Sequence, residues 1–135
     1  MDKREIIDYW IKSSDKDFKA MNNLFASGDY AWSLFIGHLV IEKLLKAYYV
    51  KQIDTVTPHV HNLLVIAEKS SLKLTENQKD FLQTVTRFNI QARYDDFKFE
   101  FHQKCSKAFT KEWLKKIKEF REWIKDERMT SYKII

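Results

Sequence analysis

Glycine and proline occur only three times in this chain, as Gly28, Gly37 and Pro58. A β-sandwich or barrel needs a turn signal roughly every 8–12 residues, and three such residues among 135 cannot supply them. Long helices joined by few connections are what remains. The charged residues, 32 % of the chain, then form solvated helix faces, and the apolar 44 % form the stripes beneath them. This length suits one domain over residues 1–135 with a core of its own and is short for two. The fold class expected is all-α.

Apolar spacing places the helices. Ile6, Ile7, Trp10, Ile11, Phe18, Met21, Leu24 and Phe25 recur every three or four residues, which predicts an amphipathic helix from about Lys3 to Ala26. Gly28 stands where a C-terminal glycine stop belongs, and Asp29 suits the N-cap of the next helix. That second helix, about Tyr30 to Lys51, is apolar almost all round, through Leu34, Phe35, Leu39, Val40, Ile41, Leu44, Leu45 and Tyr48. Such a helix is central in its bundle or sandwiched between subunits. A third helix is expected from about Val60 to Ser70. Thr75 and Gln78 have the spacing of a capping box and open a fourth, to about Asn89. In the stretch from Ile90 to Gln103, Phe97, Phe99 and Phe101 alternate with polar residues like a strand. A lone strand has nothing to pair with, so this stretch reads as an extended loop packed on the bundle. The last helix is expected from about Ser106 to Arg128. The architecture predicted is a five-helix, up-and-down antiparallel bundle.

The formal net charge is +5, with much of the excess between Lys104 and Arg128. An excess of this size permits phosphate contacts without requiring them. Cys105 is the only cysteine, which excludes an internal disulfide and a cysteine zinc cluster. The start, Met1-Asp2-Lys3-Arg4-Glu5, opens no signal peptide, and no uncharged run reaches the roughly 18 residues of a membrane span. The expectation is a cytoplasmic protein without membrane contact.

Chemistry-bearing residues gather in three places. On the apolar second helix sit His38, Glu42, Lys43 and Lys46. Buried ionisable groups need partners, so these neutralise one another or face a site or a second subunit. His38 and Glu42, four apart, share a helix face. They suit a metal or an oriented base, or simply a structural hydrogen bond, and no second such pair completes a four-helix metal site. His59 and His61 flank Val60, and two imidazoles without a third ligand make an incomplete metal site. His61 fits better as the residue that starts the third helix and hydrogen-bonds a neighbouring one. No metal and no cofactor is expected. Arg87, Arg93, Tyr94, Asp95, Asp96 and His102 crowd the irregular stretch. The planar fork of Arg93 suits phosphate; alternatively it pairs with Asp95, Asp96 or Glu42. Ser-His-Asp and Cys-His catalysis find no support, since Cys105 has only His102 nearby.

With these residues in view, the chain resembles the HEPN superfamily over roughly Tyr9 to Asp126. Gly28-Asp29-Tyr30 followed by His38-Leu-Val-Ile-Glu-Lys-Leu-Leu-Lys-Ala47 is similar to the family's helix-two signature. Pro58-His-Val-His61-Asn-Leu63 is similar to its Pro…His-Asp-Leu entry into the next helix, with Asn62 where Asp is usual. Arg93-Tyr94-Asp95-Asp96 resembles its Arg-Tyr-Pro-Asp segment, with Asp95 in place of proline. The resemblance implies a helical bundle that commonly dimerises, and many members act beside a minimal nucleotidyltransferase as toxin–antitoxin pairs. Ribonuclease members carry an Arg-x(4–6)-His motif for metal-independent RNA cleavage. Here eight residues separate Arg93 from His102, so the implied function is a non-catalytic module: a homodimer through helix two that binds a nucleotide or a nucleotidyltransferase. Its expected binding set is His38, Glu42, Lys43, Lys46, Arg93, Tyr94 and Asp95. The alternatives are a divergent ribonuclease toxin using Arg93 and His102, and a dimerising scaffold alone.

Overall fold

The computed structural model describes residues 1–129. Six helices follow in order: α1 (Lys3–Ala26), α2 (Tyr30–Gln52), α3 (Leu63–Lys69), α4 (Glu76–Arg93), α5 (Glu100–Lys104) and α6 (Lys107–Trp123), the last running into a π-helical turn over Ile124–Arg128. No strand occurs among the described residues, and no helix there is long and apolar enough to cross a membrane. The all-α expectation stands, but the count of five does not.

The punctuation of the chain explains most of the boundaries. Asp2 and Glu5 close a capping box on α1, and Thr75 and Gln78 close the expected one on α4. Ser106 caps α6 through the main-chain N–H of Phe109. Gly28 takes φ +85° at the α1–α2 turn, a left-handed conformation natural to glycine. Asp29 occupies the N-cap position of α2, yet its carboxylate accepts from the Ser27 hydroxyl rather than from a helix N–H. Helix α3 begins three residues later than Val60, because Asn62 is the capping residue and accepts from the N–H of Val65.

Helix α2 is the hub, packed along α1 and against α4, α6 and α3. Leu34, Val40, Ile41, Leu44, Leu45, Ala47 and Val50 are all buried on it. Much of its apolar girth is therefore covered within one chain, while Trp32 stays 42 % exposed. Small residues let α1 and α6 come close. The buried hydroxyl of Ser14 donates to the Val40 carbonyl at 2.8 Å, and that of Ser33 donates to the Met21 carbonyl at 2.8 Å. A Cβ on Gly37 would fall 2.7 Å from Ile117 Cδ1, a clash a close-packed interior does not absorb freely.

Between α4 and α6, aromatic rings fill the space. Phe81 stacks on Trp113 and Phe120, and Phe88 meets Trp113 edge-on at 5.2 Å.

The stretch read as an extended loop contains α5, and two carboxylates build it. Asp96 accepts from the main-chain N–H groups of Lys98 and Glu100, while Asp95 accepts from those of Asp96, Phe101 and His102. Together they hold Phe99 at φ +55°, a left-handed conformation that costs a bulky residue roughly 1–2 kcal/mol. Phe101 turns into the core, whereas Phe97 and Phe99 stay exposed.

Candidate functional site

One face of α2 carries Trp32, Phe35, His38, Glu42 and Lys46, at steps of three or four residues that align side chains along a helix. Each meets a partner from elsewhere in the chain. Trp32 packs edge-on against the His102 ring at 5.5 Å, and Phe35 lies 5.6 Å from the Arg93 guanidinium. His38 and Glu42 meet the His61 segment, and Lys46 lies over the Trp10 ring at 5.3 Å.

In the middle of this row, His38 is fully buried and its Nε2 stands 2.8 Å from the His61 carbonyl. A carbonyl only accepts, so Nε2 carries the proton; the other ring nitrogen, Nδ1, is buried without a hydrogen-bond partner among the described residues. Burial is the largest influence and holds the imidazole pKa below its ordinary value, against the His61 carbonyl and Glu42, with the charges of His61 and Arg93 adding to the depression. The His38–Glu42 separation is 3.8 Å, too long for the intrahelical hydrogen bond considered from the sequence. Glu42 instead accepts from His61 Nδ1 at 2.8 Å and from Lys46 Nζ at 3.3 Å. Glu42 is 4 % exposed and Lys46 8 %, while the His61 side chain is 65 % exposed. The network thus begins in the core and ends at the surface. His61 lies just before the N-cap of α3, and its contact to a neighbouring helix is the expected one.

His38 makes a pH-dependent prediction. Its folded pKa lies below the ordinary value, so the unfolded chain binds the proton first as pH falls. The stability contributed by neutral His38 is complete above about pH 6.5 and is lost as pH falls through the depressed folded pKa. The urea midpoint should therefore decline from pH 7 toward about pH 5, and His38→Leu should flatten that decline.

At the other end, Arg93 closes α4. Its Nε donates to the Asn89 carbonyl at 3.0 Å, and its guanidinium lies 5.1 Å from the Tyr94 ring. Asp95, Asp96 and Glu42, the carboxylates weighed as its partners, make no ion pair with it. Tyr94 is 72 % exposed. Asp95 is not turned toward a ligand, because its two oxygens take three main-chain N–H groups. Desolvation opposes its charge, but the N–H groups of His102, Phe101 and Asp96, with the nearby His102 ring, outweigh it and hold the carboxyl below its ordinary range. The same staple turns His102 back onto α4, where its Nε2 donates to the Ala92 carbonyl at 3.0 Å. The eight intervening residues thus still bring His102 back to the end of α4, onto the carbonyl of Ala92, the residue before Arg93.

Of the expected binding set, the row brings together His38, Glu42 and Lys46 and leads to Arg93 and Tyr94. It does not include Lys43, whose Nζ pairs with Asp17 of α1 at 2.6 Å. His59 is exposed and outside the row, and Arg87 donates to the Thr84 hydroxyl. Sequence reasoning missed Trp10, Trp32 and Phe35. The three- and four-residue steps back from His38 would have found the latter two; no sequence signal marks Trp10. Among the described residues, no three His, Cys, Asp or Glu side chains are grouped to hold a metal ion.

In comparison with known proteins, the family model described as HEPN domain matches residues 7–127. No curated protein and no solved structure matches the chain.

Proposed function

The chain belongs to the HEPN domain family, and from that premise we propose that it is a non-catalytic, dimeric module binding a nucleotide through Arg93. The supporting observation is the state of that guanidinium. Among the described residues its one hydrogen bond is from Nε to the Asn89 carbonyl, and no carboxylate neutralises it. Its Nη groups keep the planar donor fork that fits a phosphate, and the exposed Tyr94 ring beside it offers a face for a base. The row on α2 serves as the support that fixes this end of α4. HEPN domains often dimerise, and a minimal nucleotidyltransferase is the protein partner we propose, in a toxin–antitoxin-like pair. The compartment proposed is the cytoplasm, where a buried thiol such as Cys105, its pKa pushed up to about 11 by burial, stays reduced.

One observation favours a second reading, a metal-independent ribonuclease. His102 reaches the end of α4 despite the long spacing, so Arg93 and an imidazole share one small region. Arg93 would polarise the scissile phosphate, and His102 would move a proton at Nδ1, since Nε2 is engaged by the Ala92 carbonyl.

Titration with a fluorescent ATP analogue and metal-free incubation with labelled mixed RNA separate these readings. Arg93→Ala should weaken nucleotide binding roughly 10- to 100-fold, the loss of charge-assisted hydrogen bonds, with RNA left intact by wild type and His102→Ala alike. Unchanged affinity would remove Arg93 from the site. RNA cleavage by wild type that disappears in His102→Ala would establish the ribonuclease.

A further inference from the structure

Helices α1 and α6 both lean on α2 but leave an open groove of about 680 Å³ between them. Phe18, Met21 and Phe25 of α1, at steps of three and four, make its floor with Leu114 of α6. Along the α6 bank stand Lys111, Lys115 and Lys118, again one helical face, with Glu112 among them and paired to Lys116. Arg121 and Lys125 pair with Asp15. These three lysines are exposed and make no ion pair among the described residues. No residue of the groove belongs to the α2 row or to the Arg93 end of α4.

We infer that this groove seats an acidic amphipathic helix of a protein partner. A trough between two helices is shaped for the ridge of a third, and an apolar floor takes anchors at i, i+3 or i+4 and i+7. Glutamates flanking those anchors meet the lysine row at its own spacing, which gives orientation and speed of encounter. The α1 bank presents the uncharged Asn22, so the complement is acidic on one flank only. A lipid bilayer is a poor fit, because the apolar residues lie below the rims, where a flat surface does not reach them.

The test uses the full chain and a fluorescein-labelled amphipathic helix of about five turns, with leucines on one face and glutamates beside them, read by anisotropy. A second probe replaces every glutamate with lysine. Saturable binding of the acidic probe is expected, with roughly tenfold or greater weakening for the basic probe and for K111E/K115E/K118E. Reversing three lysines of α1 outside the groove, K3E/K12E/K16E, should leave binding unchanged. Ala108→Trp, at an exposed groove position, should block the probe without disturbing the core, as thermal unfolding will report. The inference is overturned if both triple variants weaken binding equally, if Ala108→Trp binds like wild type, or if the chain sediments with phosphatidylserine vesicles while ignoring the acidic probe.

Discussion

Glu42→Leu should lower the unfolding free energy by about 3 kcal/mol, the lower end of what breaking a buried ion pair costs. The carboxylate holds two groups at once, His61 Nδ1 at 2.8 Å and Lys46 Nζ at 3.3 Å. Without it, Lys46 is left 8 % exposed with its ammonium uncompensated. The Trp10 ring beneath that ammonium softens the loss, which is why the lower end applies. The double variant Glu42→Leu/Lys46→Met should recover much of the deficit, because replacing a whole buried pair with apolar groups is often neutral. Urea denaturation of the four members of this cycle measures the coupling. A single variant within about 0.5 kcal/mol of wild type, the range of ordinary surface changes, would show that the network carries no net stability.

Asp95→Ala should unfasten α5. The main-chain N–H groups of Phe101 and His102 lose their acceptor, and their hydrogen exchange should quicken by roughly tenfold or more, as for a locally opened segment. His102 then leaves the Ala92 carbonyl, while Arg93, held by Asn89, stays. On the nucleotide-binding reading affinity changes little; on the ribonuclease reading cleavage is lost with the histidine. The staple has its own pH limit. A carboxyl whose folded pKa is depressed contributes stability that is complete above the ordinary aspartate value, and loses it as pH falls through the folded one. Protection of these two amides should therefore persist down to about pH 4 and fail below it. Unchanged exchange in Asp95→Ala at neutral pH would mean that packing of Phe101 alone holds α5.

The helices with strong local signals were legible in the sequence. Gly28, Thr75 with Gln78, and Ser106 act through neighbours three or fewer residues away, so spacing suffices to read them. Helix α5 was not legible, because it depends on Asp95 reaching six and seven residues ahead. Alternating phenylalanines suggested a strand, and only the left-handed Phe99 explains why the alternation leads instead to a helical turn. In the candidate site, periodicity joined His38, Glu42 and Lys46. Lys43, next to Glu42 in sequence, belonged to a different face and to Asp17. The return of His102 to α4 is a tertiary event, and residue counting from Arg93 gave the opposite expectation.

Helix α2 is both the axis of the core and the spine of the row, and this couples two histories. Ile41 has no place in the row, but it lies between His38 and Glu42 in the sequence and is as buried as the histidine. On the nucleotide-binding reading, a lineage adjusting its ligand by altering α2 would gamble the whole fold at each step, since most core changes destabilise. Tyr94 and Phe97 are free of that constraint, lying outside the core and apart from the Asp95 and Asp96 carboxylates that build α5. On that reading, descendants of this chain should diverge in specificity at those two positions, while α2 drifts slowly.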